Sequence, residues 1–276
     1  MNLSKRAAWI AAVPLLLIVA GAVLLPFAWR SAGFVADCVR GDECALCDLV
    51  ADGYYLKAIL NTVWLSALST LVALAIGCAA AAALAEQPSW RRASNVLANL
   101  GANFAGVPLA LALTLLFGAQ GVLRQALASI GVALPFALEG NGGLLLAYLC
   151  FQVPLATLML ALPVQMLEAG LMDAAATLGA SPAVFWRRIG LPLLLPSLIE
   201  VGSLLFANAA AAYATPFALS GTSANVLAVR IAALVSGDIF SNPDLSSLLA
   251  LLMFVLLVTA IVGANLVAKR LRGRDA

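Results

Sequence analysis

Residues 173–192, DAAATLGASPAVFWRRIGLP, join two of the most apolar parts of the chain and read as a helix, a stop, a capped restart and a second stop. Ahead of them, Leu167, Leu171, Ala174 and Leu178 recur at i, i+4, i+7 and i+11, one face of a helix, while Glu168, Asp173 and Thr177 fall elsewhere. Gly179 suits the left-handed residue that ends a helix, and Ser181-Pro182 reads as an N-cap followed by proline at the first helical position. The spacing predicts a second short helix with Phe185, Trp186 and Ile189 as apolar knobs and Arg187 and Arg188 beside them, until Leu191-Pro192 turns the chain back. The result is a compact amphipathic helical hairpin between apolar neighbours.

Those neighbours fix the class. Of 276 residues, 64% are hydrophobic and 10% charged, too little polar surface to wrap one soluble core. Crossing about 30 Å of hydrocarbon takes about 20 apolar residues in a helix. Six runs qualify, at 7–29, 56–85, 95–117, 143–163, 193–219 and 247–267, so the expected fold is all-α and polytopic. The first run follows Lys5 and Arg6 as a signal peptide would, but it is long and lacks a small-residue cleavage site; it reads as a retained helix.

Charge in the connecting loops sets orientation, because cytoplasmic loops keep Lys and Arg. With the N-terminus inside, the cytoplasmic set is Lys5, Arg6, Arg91, Arg92, Arg187, Arg188, Lys269, Arg270, Arg272 and Arg274, against Arg30, Arg40, Lys57, Arg124 and Arg230 outside. Both termini are therefore expected in the cytoplasm, with the hairpin on the same side. The net charge of +2 forms no basic patch with interleaved aromatics, so nothing points to nucleic acid.

The cysteines divide along the same topology. Cys78 and Cys150 lie inside apolar runs and read as packing residues. Cys38, Cys44 and Cys47 fall in DCVRGDECALCD, on the outer side by charge, where an oxidising periplasm favours one disulfide with the pairing open. A metal site built with Asp37, Asp42, Glu43 and Asp48 is the alternative, although four ligands at zinc-type spacing are missing, and no metal is assigned.

Physics alone leaves three readings of the hairpin: an interfacial connector resting on lipid, a dock for a soluble partner, or a catalytic element. Catalysis is disfavoured because the chain has no His, which removes a Ser-His dyad and a His-ligated metal, and LSGTS at 219–223 resembles a nucleophile turn only superficially. A paired-carboxylate site inside the membrane would need two acids in apolar runs, and Glu200 alone qualifies. A secondary transporter acting alone would favour inverted repeats, and none is convincing.

The pattern Asp173-Ala174-Ala175, three residues, Gly179, nine residues, Ile189, one residue, Leu191-Pro192 resembles the EAA loop of permease subunits of binding-protein-dependent ABC importers, with Asp173 where that family has Glu. NTVWLSALSTLVALAIGCAAAAALA at 61–85 is similar to the family's first core helix, and AAYATPFALSG at 211–221 to the end of its fifth helix in spermidine/putrescine-type importers. The resemblance implies an N-terminal helix and Cys-containing outer loop at 1–55, a five-helix permease core at 56–267 with a cytoplasmic coupling loop at 164–192, and a basic cytoplasmic tail at 268–276. It also implies a bacterial inner membrane, a second permease subunit, two cytoplasmic ATPase subunits and an extracytoplasmic binding protein. In this family the loop inserts into a groove of the ATPase, which would give Asp173, Ala174, Ala175, Gly179, Ala180, Phe185, Ile189, Leu191 and Pro192 a coupling role. The chain has no Gly-Lys-Ser/Thr phosphate loop, so ATP and Mg would be bound by the partner and no cofactor by this chain.

Polar residues inside the apolar runs are the candidates for a solute path. Glu200 is the costliest, at about 2.5 to 3.5 kcal/mol near a bilayer centre. Asn61, Asn103, Gln152, Asn208, Tyr213 and Thr215 are the others, although each, taken singly, is better accounted for by helix-to-helix hydrogen bonding. Pro216 is expected to break or end the fifth core helix, and the small residues at 77–85 to serve close packing. The resemblance suggests a polyamine or similar cation as solute, with phosphonates, thiamine or ferric iron as alternatives.

Overall fold

The computed structural model describes residues 53–85, 88–133, 136–236 and 242–272, with isolated positions between 13 and 33. The run at 7–29, apart from those positions, and Cys38, Cys44 and Cys47 lie outside the described residues. Among the described residues every regular element is helical. In chain order these are α1 (Gly53–Ala85), α2 (Pro88–Asn103), α3 (Val107–Phe117), α4 (Val122–Ser129), α5 (Asn141–Thr177), α6 (Pro182–Phe185), a π turn (Trp186–Gly190), α7 (Leu191–Ala210), α8 (Ala214–Ser220), a 3-10 turn (Gly221–Ser223), α9 (Leu227–Ser236) and α10 (Pro243–Arg272).

Among the described residues, five helical stretches are long and apolar enough to cross a membrane: Gly53–Ala85, Val107–Ser129, Asn141–Leu167, Pro182–Ala210 and Pro243–Arg272. A bent pair, Ala214–Ser223 with Leu227–Ser236, turns by 67° and forms a sixth span or a re-entrant loop. The chain is an all-α, multi-pass membrane protein.

The chain divides into two units, residues 1–56 with 231–255, and residues 57–230 with 256–276. The described part of the first unit is the opening turn of α1, the end of α9 and the first half of α10, where Leu245, Leu248 and Leu249 are buried. Everything that positions the candidate site lies in the second.

Within the second unit, α1 and α5 run side by side in the same direction. Asn61 pairs with Asn141, Ser69 with Gln152, and Gly77 lies against Ala156, so the partners advance together. A Cβ added at Gly77 would stand 2.6 Å from the Ala156 Cβ. Lipid supplies no hydrophobic drive between helices, so this approach works through dispersion contacts that only small side chains allow. Helix α7 runs the other way against α1: Gly202 faces Leu74 and Thr70, while the earlier residues Leu191 and Leu198 lie beside the later stretch Leu74–Ala82. Parallel α1 and α5 with antiparallel α7 is the direction pattern that alternating spans require. Two buried clusters result, one around Leu65, Leu113, Leu144, Tyr148 and Phe151, the other around Leu160, Val164, Leu194 and Leu205 toward the 173–192 segment.

Three boundaries differ from the sequence expectation. The run at 95–117 is not one helix: the chain breaks between Asn103 and Val107, where Gly106 has a φ of 79°. Pro108 inside one continuous helix would lose a hydrogen bond and clash with the preceding turn, whereas in the first turn of α3 its missing N–H is an orphan in any case. The crossing there runs 107–129 instead. The fifth core helix does not reach residue 219. It ends at Ala210, and Pro216 lies in the first turn of α8, so the break precedes the proline. Finally, α5 continues through Pro154 and Pro163 to Thr177. The hairpin's first arm is therefore the end of a membrane helix, in which Gly170 takes a positive φ of 97°.

Candidate coupling segment and polar seam

The turn between α5 and α6 is built by local hydrogen bonding. Ala180 N–H donates to Ala175 O at 3.0 Å and Gly179 N–H to Ala176 O at 2.9 Å, the two bonds of a Schellman motif. Gly179 carries the left-handed φ this requires, 83°. Ser181 Oγ accepts from Val184 N–H at 3.4 Å and Pro182 opens the new helix, as expected of a capped restart.

The second stop is absent. Trp186–Gly190 form a π turn in which Leu191 N–H donates to Trp186 O, five residues back, and α7 follows without a break. Pro192 in a plain α-helix would clash with the turn before it; the wider turn takes up the ring and the helix runs on. The loop expected at Leu191-Pro192 is therefore a bulge inside one helical stretch, Pro182–Ala210.

Exposure divides the nine candidate coupling residues. Ala175 and Phe185 are buried, Phe185 to 1% and edge-on to Trp186 with ring centroids 5.9 Å apart, so they anchor the segment within its own chain. Ala180 and Ile189 are half-buried, and Asp173, Ala174, Gly179, Leu191 and Pro192 are exposed. The face expected from Leu167, Leu171, Ala174 and Leu178 is not a uniformly buried one: Leu167 is covered, Leu171 is 44% exposed, and Leu178, which follows the end of α5 and belongs to the turn, is 88% exposed. Sequence reasoning thus missed Leu178 and Val184 as an apolar tip beside Gly179, although the turn signals flanking them marked the place.

The seven path candidates are not brought together, and no hydrogen bond links any two of them. Asn61 Nδ2 donates to Asn225 O at 2.9 Å and exchanges side-chain bonds with Asn141. Gln152, fully buried, donates from Nε2 to Ser69 Oγ at 3.2 Å. Thr215, buried, accepts from Gly106 N–H at 2.9 Å. Glu200 Oε2 pairs with Arg272 Nη2. Asn103 bonds back to Asn99 O in its own helix, and Asn208 and Tyr213 are exposed, Tyr213 stacked on Phe217.

A continuous feature does emerge along α1. Thr62 Oγ1 accepts from Leu227 N–H at 2.8 Å, and Ser66, Ser69 and Thr70 follow it into the protein, all buried. Ser66 Oγ, Thr70 Oγ1 and Gln152 Oε1 have no hydrogen-bond partner among the described residues. The spacing 62, 66, 69 within an apolar helix was the signal available in the sequence. Arg230, also buried, holds the 222–225 loop through Thr222 O, Ser223 O and Asn225 Oδ1, and Arg124 clamps Phe117 O and Phe136 O. Two of the four arginines expected on the outer side are thus engaged by backbone carbonyls. Among the described residues no three His, Cys, Asp or Glu side chains group as metal ligands.

No family model matches the chain. Over 207 residues, 74% of the chain, it is 28% identical to the "Probable ABC transporter permease protein y4fN" of Sinorhizobium fredii, covering 36% of that protein. Over 155 residues it is 26% identical to the molybdenum transport system permease protein ModB of Mycobacterium tuberculosis, 56% of the chain and 57% of the relative. The spermidine/putrescine transport system permease protein PotC of Haemophilus influenzae is 29% identical over 141 residues, 51% of the chain and 52% of the relative. The chain is a homologue of ABC transporter permeases. It spans between 36% and 57% of the length of these three relatives. Its fold also matches a chain from the crystal structure of a bacterial alginate ABC transporter in complex with an alginate pentasaccharide-bound periplasmic protein, with a TM-score of 0.73 at 18% identity, covering 96% of each chain.

Proposed function

We propose that the chain is the transmembrane permease subunit of an ATP-driven importer in a bacterial inner membrane, with both termini cytoplasmic, and that residues 173–192 are its contact with a cytoplasmic ATPase. One observation carries the reading: a rigid, doubly capped turn, set at the shared end of α5 and the α6–α7 stretch, presents Asp173, Ala174, Leu178 and Gly179 outward while Phe185 locks it from within. Movement of that turn is passed directly to two membrane helices. The subunit itself is non-catalytic; hydrolysis, with its ATP and Mg, belongs to two ATPase subunits, and a second permease and an extracytoplasmic binding protein complete the assembly.

The solute is a small polar molecule. A polyamine-like cation is favoured by the resemblance of residues 211–221 to spermidine/putrescine-type importers and by PotC, but the relatives also include a molybdenum transport permease, and the matched structure is an alginate transporter. Glu200, the one acid within an apolar run, is engaged by Arg272, so the cation reading does not rest on it.

The test is reconstitution. Co-expressed with its ATPase and binding protein, the chain should copurify with the ATPase, and proteoliposomes should accumulate solute only with ATP and binding protein. Uptake driven by an ion gradient without ATP would overturn the reading in favour of a secondary transporter.

A further inference from the structure

A furrow of about 460 Å³ runs along α1 where that helix meets the π turn and α7. Its floor is Ala75, Cys78, Ala79 and Ala82, two adjacent ridges of α1 whose small side chains create the depression; Trp186 and Leu198 form the other wall. The volume lies within the range of small-molecule sites, about 300 to 1,000 Å³. The lining from Leu74 to Ala82 covers about 12 Å of helix at 1.5 Å per residue. The furrow is therefore elongated along a membrane-crossing helix, and it offers no charged group or hydrogen-bonding side chain beyond a thiol and the Trp186 indole. A polar solute would lose its hydration there without replacement. A hydrocarbon chain aligned with the helix would not.

The end of the furrow at Trp186 has a different character. Arg187 and Arg188 follow Trp186 directly, are exposed, and make no hydrogen bond or ion pair among the described residues. Indole rings settle at the headgroup level of a bilayer, and basic groups beside membrane helices bind anionic headgroups. We propose that the furrow holds one acyl chain of an anionic phospholipid whose phosphate lies against Arg187 and Arg188. Charge selects an anionic over a zwitterionic lipid, and the hydrocarbon lining selects an acyl chain over a soluble phosphate. Because Trp186 belongs to the π turn, the lipid braces the joint between the 173–192 segment and α7. This goes beyond the coupling role and does not depend on an ATPase.

The experiment is native mass spectrometry of the full-length chain in detergent, without ATPase, titrated with phosphatidylglycerol or phosphatidylcholine. One phosphatidylglycerol should be retained at least tenfold more tightly than phosphatidylcholine. The double variant Arg187→Gln, Arg188→Gln should lose that preference, and Ala79→Leu or Leu198→Phe, which fill the furrow from opposite walls, should lose the bound lipid while helical circular dichroism is kept. Equal binding of the two lipids would overturn the proposal, as would phosphatidylglycerol retention unchanged in both filling variants. A cysteine at position 79 that crosslinks to residues 1–52 or to a second permease chain in the membrane would also overturn it, by placing protein in the furrow. Lipid counts are read on the chain alone, so loss of ATPase coupling and loss of the lipid site are separate outcomes.

Discussion

Arg272 Nη2 lies 2.7 Å from Glu200 Oε2, joining the end of α10 to α7 across 72 residues of sequence. The one carboxylate set inside an apolar run is thus a tie between helices. Its side chain is 32% exposed and that of Arg272 55%, so solvent screens the pair, and such contacts contribute about 0 to 1 kcal/mol. Glu200→Gln and Arg272→Gln should each lower the melting temperature slightly and equally, with no further loss in the double variant, and Glu200→Gln should leave uptake unchanged. A strong selective loss of uptake in Glu200→Gln would return this residue to the solute path.

Gly179 offers a test with two separable effects. Its φ of 83° strains any other residue by about 1 kcal/mol, but an added Cβ would meet nothing within 4 Å of its own chain. Gly179→Asn should therefore fold and retain most uptake, since Asn tolerates the left-handed region. Gly179→Asp should also insert normally yet lose ATP-driven uptake and weaken copurification of the ATPase, because it places a charge on the docking face. Cysteines at Ala180 or Ala183 should crosslink to an ATPase groove cysteine; their silence together with full uptake by the Asp variant would remove the coupling role.

The crossing of α1 and α5 is set by Gly77 against Ala156. Gly77→Ala forces a Cβ to 2.6 Å from the Ala156 Cβ and should destabilise by about 1 to 3 kcal/mol. Removing the opposing methyl with Ala156→Gly should restore much of that loss. Thermal unfolding of the two single variants and the double variant measures the coupling directly.

Buried polarity gives an asymmetric prediction. Ser69→Ala strips the Gln152 amide of its partner and leaves it buried, which should cost about 1 to 3 kcal/mol. Gln152→Leu removes the demand itself, along with an oxygen that has no partner, and should be milder. If Gln152→Leu were the more damaging of the two for stability, the amide would be contributing through a contact outside this chain.

The outer loop can be read in intact cells. With Cys38, Cys44 and Cys47 outside and one disulfide between two of them, a membrane-impermeant maleimide should label at most one before reduction and all three after. Complete protection under both conditions would reverse the orientation.

Span existence was legible because length and hydropathy set it: 56–85, 143–163 and 193–210 lie inside helices that the structure describes. Breaks were legible only where residue chemistry changes. Gly179 and Ser181-Pro182 announce their turn, whereas Gly106 and Pro108 sit inside an otherwise apolar run and were read through, and the Gly106 N–H is held by Thr215 from more than a hundred residues away. Leu191-Pro192 carried a true proline signal with two physical resolutions, a stop or a widened turn, and nothing local chooses between them. Helix α9 went unread because Arg230, counted as a loop charge, is buried against carbonyls of the preceding loop. The path residues scattered for a similar reason. Each polar group in an apolar run needs a partner, and Asn141, Asn225, Ser69 and Arg272 meet that need from elements distant in sequence.

The π turn between Trp186 and Gly190 has a consequence for angular register. An α-helix advances about 100° per residue, and a turn closed five residues back in place of four holds one residue more than the helix needs. Every side chain of α7 is therefore rotated by about one residue step from where an unbroken helix beginning at Pro182 would point it. Trp186 and Leu191, five apart, consequently line one furrow, a spacing that α periodicity would splay by about 140°. The insertion acts as a dial between the two ends of the stretch: the face offered at Pro182–Phe185 and the face packed along α7 can be set independently, by the residue count between them and not by the identity of any one side chain.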